Sequence, residues 1–142
     1  MKIPPLFRKK SVILALIIIL AIVYVQNSDV YTVTAYCNCR ICINKKNFRD
    51  GRFSSNQRVY FGGAAARKSI PFNTKIRLIP LSQKDKTAID RYFKGRKDFI
   101  IEDRGFLITG NRIDIFIPKS MGGHKTALKW GKRKMRVKMF KP

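Results

Sequence analysis

The chain opens on an uninterrupted apolar run. Ser11 to Val25 reads SVILALIIILAIVYV, without a charge and without a polar face. Lys2, Arg8, Lys9 and Lys10 precede it, and the next cation is Arg40. A spanning helix needs about 17 to 25 such residues and a secretory h-region about 7 to 15. Extended through Gln26 and Asn27, the run makes a short span, and no small-x-small cleavage site follows it. The favoured reading is an uncleaved transmembrane signal anchor over residues 11–27, with the basic segment 1–10 in the cytoplasm. A cleaved signal peptide and a buried core helix are the alternatives. The anchor predicts a single-pass protein of the cytoplasmic (inner) membrane, its C-terminal domain, residues 28–142, extracytoplasmic.

Beyond the run the pattern changes to short alternating segments. VYTVTAY (Val30 to Tyr36), KIRLI (Lys75 to Ile79), FIIE (Phe99 to Glu102), RIDIFI (Arg112 to Ile117) and KMRVK (Lys134 to Lys138) read as strands. In RIDIFI, Ile113, Ile115 and Ile117 face one way and Arg112, Asp114 and Phe116 the other. KMRVK alternates apolar and basic residues, which suits an edge strand. GGAAA (Gly62 to Ala66) is a small-residue segment where backbones approach closely. Ser82 to Gly95 looks like an insertion: Ile89, Tyr92 and Phe93 share a helical face, with Gly95 as its cap. Thr126 to Trp130 predicts a short helix stopped by Gly131. Short strands with few helices and glycine turns point to a mainly β fold, a small barrel.

The formal net charge of +23, from 31 Lys and Arg against 8 Asp and Glu, changes the picture in one way. So much like charge favours an anionic partner: nucleic acid, an anionic membrane, or wall polymers carrying carboxylates and phosphates. An extracytoplasmic domain weakens the nucleic-acid reading, so no nucleic acid is expected.

Two carboxylates stand out. Asp is disfavoured in strands, yet Asp114 sits in the middle of RIDIFI, and Asp103 closes an apolar strand at a glycine turn. If the two strands pair through the Gly105 to Asn111 connection, the two carboxyls come close. Close carboxylates raise one pKa, and a protonated carboxyl is the general acid that glycosidic cleavage needs. The bland alternative gives Asp103 to the backbone of its own turn and pairs Asp114 with Arg104 or Arg112.

The block Ile101 to Phe116, IEDRGFLITGNRIDIF, resembles the signature of the three-aspartate (3D) domain family, as do TAYCNC (Thr34 to Cys39), IPFNT (Ile70 to Thr74) and ALKWG (Ala127 to Gly131). The resemblance runs in order over most of Thr32 to Met139, apart from residues 82–95. It implies a six-stranded double-psi β-barrel with short helices, related to MltA-type lytic transglycosylases and RlpA-like proteins. The implied activity is cleavage of the MurNAc–GlcNAc bond of peptidoglycan with a 1,6-anhydro product. In that reading Asp114 is the acid/base and Asp103 its supporting carboxylate. Asn111, Arg112, Arg104 and Gly110 are candidate substrate-binding residues. The chain departs from the family pattern at Ala66, where the first aspartate is expected, and at Asn73, where a glycine is common. A catalytically silent peptidoglycan-binding module is therefore the alternative. The expected partners are glycan strands and anionic membrane or wall polymers.

Cys37, Cys39 and Cys42 form a C-x-C-x-x-C run. Outside the cytoplasm a disulfide is the default, Cys37–Cys42 or Cys39–Cys42, with one thiol left over. A metal site with His124, the one histidine, is the sharper alternative, but His124 is distant in sequence. The run is read as structural; no metal ligands are assigned and no cofactor is expected. Trp130 is read as a core residue before a sugar-stacking one.

Overall fold

The structure, a computed structural model, describes residues 12–19, 29–43 and 51–140. Residues 12–19 form a helix, α1. Among the described residues no helix is long and apolar enough to cross a membrane. This corrects the expected transmembrane helix and the inner-membrane localisation drawn from it. The remainder of 11–27, and all of 1–10, lie outside the described residues.

Six strands follow: β1 (Val30–Tyr36), β2 (Gly63–Ala66), β3 (Lys75–Pro80), β4 (Asp98–Asp103), β5 (Arg112–Phe116) and β6 (Arg133–Phe140). They close into a barrel in the order β1-β5-β2-β4-β3-β6. Pairs β1·β5 and β2·β4 are parallel; the other four are antiparallel. The mainly β double-psi barrel with a membrane helix is thus corrected to a mixed six-stranded sheet with three helices. Among the described residues the remaining α-helices are α2 (Gln83–Phe93) and α3 (Gly123–Trp130), the latter preceded by a 3-10 turn at Lys119–Met121. β6 is not an edge strand, because it pairs with β3 on one side and β1 on the other. Its alternation has another cause: Met135 and Val137 are buried while Lys134, Arg136 and Lys138 are exposed on the outside of the barrel.

Two apolar clusters result from the period of two. Val33, Ile76, Leu78, Ile101, Ile113, Ile115, Met135 and Val137 fill the main core. Tyr36, Phe53, Ala65, Ile108 and Phe116 form a second one. β5 feeds both, which is why Phe116 is apolar on the face opposite its isoleucines. Three edge-to-face ring contacts, Phe53 with Tyr60 and with Phe116 and Tyr36 with Phe116, tie the second cluster together.

The segment 82–95 is built into the main core through α2. The Ser82 hydroxyl caps the helix by accepting from the Asp85 N–H at 3.1 Å. Lys94, at φ 51°, takes the left-handed cap position, and Gly95 follows it. Ala88, Ile89 and Phe93 are buried. Phe93 stacks on Trp130 with ring centroids 4.1 Å apart. Trp130 also donates its Nε1–H to the Val33 carbonyl at 3.2 Å, so it is a core residue. Because Phe93 joins α2, α3 and β4, Phe93→Ala is expected to destabilise the whole domain by about 3–5 kcal/mol in one cooperative urea transition of the full chain. A loss confined to helix 83–93, read by circular dichroism, would contradict this.

Candidate active site

The site is organised around Ala65. In the antiparallel β2·β5 pair Ala65 lies opposite Asp114. In the parallel β2·β4 pair it lies opposite Asp103. A register shift between Ala64 and Ala65 skips Glu102 and brings Asp103 into that place. The two aspartates therefore flank β2, their backbones roughly 10 Å apart at about 4.8 Å per strand. The expected direct pairing of their strands does not occur, yet both acids line one cleft of about 860 Å³.

Asp103 is saturated. Its Oδ1 accepts from the Ser54 N–H at 2.9 Å, the Ser54 hydroxyl at 2.6 Å and the Arg104 N–H at 2.9 Å. Its Oδ2 accepts from the Tyr36 hydroxyl at 2.6 Å. Four donors match the capacity of an ionised carboxylate. Burial first, and then the Asp103 charge, push the Tyr36 phenol well above its ordinary pKa, so it remains a donor. Phe53, beneath the Ser54 loop, lies against Gly63: a Cβ there would come within 2.3 Å of the ring. A glycine at 63 is thus what lets the loop seat Ser54 on Asp103.

Asp114 differs. Its Oδ1 accepts from the Thr34 hydroxyl at 2.8 Å, its partner across the parallel β1·β5 pair. Burial raises its pKa; the Thr34 bond and the Arg112 charge oppose this, and the Asp103 charge adds to it. Arg112 reaches the Thr34 hydroxyl at 3.4 Å rather than the carboxylate. Among the described residues the ion pairs are Arg77–Asp98 and Arg133–Asp85, so neither cleft acid is neutralised by a direct cation.

Arg52, Lys68, Arg104 and Arg112 line the same cleft. Arg104 donates to the Ile70 carbonyl at 2.6 Å and lies 4.0 Å from the Phe72 ring centroid, so part of its guanidinium serves the β2–β3 connection. Phe106 and Leu107 stand on the rim at 94% and 75% exposure. Asn111 and Gly110 are exposed and fall outside the cleft lining. Asn111 instead accepts from the Thr32 N–H at 2.8 Å and donates to the Val30 carbonyl at 3.4 Å, pinning the start of β1. Ala66 is buried in the main core, so β2 turns Ala65 and not Ala66 to the cleft.

The three cysteines are free thiols. Cys37 Sγ lies 3.6 Å from Cys42 Sγ, well beyond a bond of about 2.05 Å. His124, distant in sequence, stands beside them. Six residues used in the site were not singled out from the sequence: Thr34, Tyr36, Arg52, Ser54, Lys68 and Phe106. Thr34 and Tyr36 carried a signal, since polar atoms two apart in an apolar strand share one face.

No protein-family profile matches the chain, and no curated protein matches it. Among solved structures it is similar to E. coli MltA with bound chitohexaose, at 21% identity and a TM-score of 0.45, over 68% of this chain and 29% of that one. A further crystal structure of E. coli MltA gives 22% identity and a TM-score of 0.44, over 66% and 28%. An alanine variant of this E. coli lytic transglycosylase, in an apo form, gives 20% and 0.44, over 63% and 27%. The chain spans less than a third of the length of each.

A carboxyl whose pKa is raised by folding stabilises the fold at low pH and loses that contribution as pH rises through its folded pKa. Asp114→Asn, which removes the buried charge, is therefore expected to melt above wild type at pH 7. The difference should close as the pH falls below the ordinary Asp range. A variant that melts lower than wild type at pH 7 would contradict the raised pKa.

Proposed function

We propose that this chain cleaves the MurNAc–GlcNAc bond of peptidoglycan in the manner of a lytic transglycosylase, leaving a 1,6-anhydro product. The observation that carries the reading is the contrast between two carboxyls in one cleft. Asp114 is held toward its protonated form by burial, while Asp103 is fixed by four donors. That arrangement supplies one proton-transferring acid and no second free carboxylate to act as nucleophile or to activate water. The substrate's own hydroxyl then serves as nucleophile. Asp114 gives its proton to the glycosidic oxygen as the C1–O bond breaks. The C6 oxygen bonds to C1, and its proton passes to Asp114, which restores the acid without consuming water.

The surroundings suit such a substrate. The exposed Phe106 ring offers a face for a sugar, and Arg52, Lys68 and Arg112 suit lactyl or stem-peptide carboxylates. Asp103 steadies positive charge developing at the anomeric carbon. A second reading, a binding module without turnover, is favoured by one observation. The position where the resembling family carries its first aspartate is Ala66, enclosed in the core.

The full chain incubated with peptidoglycan sacculi should release anhydro-muropeptides detectable by mass spectrometry. Asp114→Asn should lower that release by at least about 100-fold. Retention on the sacculi without products would establish the binding module instead.

The pH profile gives an independent check. Activity that needs protonated Asp114 falls as pH rises through its pKa. Thr34→Val removes a bond that lowers that pKa, so the basic limb should move to higher pH. Asp103→Asn removes a charge that raises it, so the limb should move to lower pH. Equal or reversed movements would reject Asp114 as the titrating acid.

A further inference from the structure

The end of β1 and the start of α3 meet at a second cluster of chemistry-bearing side chains. Cys37, Cys39, Cys42 and His124 each offer one ligand atom, and these four atoms lie within 4.8 Å of one another. Cys37 Sγ is 3.6 Å from Cys42 Sγ; His124 Nδ1 is 3.2 Å from Cys42 Sγ and 3.8 Å from Cys39 Sγ. A zinc–sulfur distance of about 2.3 Å sets the edges of a tetrahedron at about 3.8 Å, shorter toward a nitrogen ligand. The three separations of 3.6, 3.2 and 3.8 Å are close to such edges and well beyond a sulfur–sulfur bond of about 2.05 Å.

The local fold explains the convergence. The Ile43 N–H donates to the Cys39 carbonyl at 3.0 Å, closing a turn that brings Cys42 back toward Cys37. On the other side Gly122 and Gly123, at φ 85° and 44°, let the chain turn sharply into α3. Gly123 packs against Cys37, where an added Cβ would sit 3.8 Å from the cysteine Cβ. His124, next in the chain, is thereby delivered to the thiols. Cys37 is buried and the other three are half-buried, so an ion can reach the centre from the side of the turn.

We propose that Cys37, Cys39, Cys42 and His124 bind one Zn²⁺ in a closed tetrahedral site. Three soft thiolates and one imidazole select zinc over calcium or magnesium, which take oxygen ligands. With all four positions filled by protein, the ion has a structural role. It joins the end of β1 to α3, across more than 80 residues of sequence. Cys42 and Ile43 also line the cleft that holds Asp114 and Asp103, so the ion would fix one wall of that cleft. This inference stands on the thiol–imidazole geometry and not on the glycan-cleaving reading.

The test is metal binding by the full chain, purified reduced and metal-free. Titrated with Zn²⁺, it should hold one ion per chain by native mass spectrometry. Co²⁺ in its place should give thiolate charge-transfer and tetrahedral d–d absorption. His124→Ala should weaken Zn²⁺ binding by more than the about 10–100-fold lost when a ligand's supporting partner is removed. His124→Cys keeps a fourth ligand, so it should retain the ion with stronger thiolate absorption. If His124→Ala does not fold, wild type and His124→Cys decide. A reduced, folded wild type that holds no zinc would overturn the proposal. So would a chain two hydrogens lighter under the same reducing conditions, or unchanged affinity in His124→Ala. Zinc binding by a chain that releases no anhydro-muropeptides would reject the enzyme and leave the metal site standing.

Discussion

Everything at the cleft depends on β2 being thin. Gly63–Ala66 is the shortest of the six strands and is buried along its whole length. It lies between β4 and β5, the two strands that carry the aspartates. A large side chain at 63 would displace Phe53, and with it the Ser54 loop that holds Asp103. A large side chain at 65 would fill the space between the two acids. The small residues of β2 give up packing area there, and the second cluster of Phe53, Ile108 and Phe116 compensates from outside the barrel.

The electrostatics follow from the same crowding. In a chain of net charge +23, an isolated carboxylate would be expected to attract a cation. A direct guanidinium contact would hold the Asp114 pKa down. Instead Arg112 is held off by one hydroxyl, that of Thr34, and Arg104 is drawn toward Ile70 and Phe72. Burial then dominates, and the Asp114 pKa rises. Asp103 takes its partners from backbone and hydroxyl donors rather than from a cation. Two aspartates on neighbours of one strand thus sit in different surroundings, Asp114 buried beside one hydroxyl and Asp103 held by four donors.

What could be read from the sequence was whatever is local. The alternation of RIDIFI, the helix of residues 82–95 and the small-residue segment at 62–66 all depend on neighbours within a few positions. The relation of Asp103 to Asp114 did not, because the strand between them comes from some 40 residues earlier, and a register shift sets its phase. KMRVK misled for a physical reason: a barrel strand with one wet face has the alternation of an edge strand. Asn111 stood beside Asp114 in sequence, but a turn residue is spent on backbone contacts, here with Val30 and Thr32. The apolar run at 11–25 spoke through hydropathy alone, and among the described residues no helix is long and apolar enough to cross a membrane. The metal reading of His124 ranked behind a disulfide for its distance in sequence, a quantity that says nothing about the distance across a closed barrel.

β1 links these features. Its alternation puts Thr34 and Tyr36 on the cleft face, where one bonds Asp114 and the other Asp103. Val33, on the opposite face, is in the main core and accepts from Trp130. Cys37 follows directly, at the point where the strand gives way to the thiol turn. A sliding movement of β1 by one residue would exchange these faces and remove both hydroxyls from both acids. The parallel pairing with β5 opposes that slip along the strand, and the Tyr36 carbonyl accepts from the Ile117 N–H at 2.7 Å at its end. A zinc tie at Cys37 would act one residue beyond Tyr36, at the end of the strand where the ladder gives out. The metal cluster and the acid pair are then two ends of one constraint: whatever fixes Cys37 against His124 also fixes where the Tyr36 hydroxyl meets Asp103.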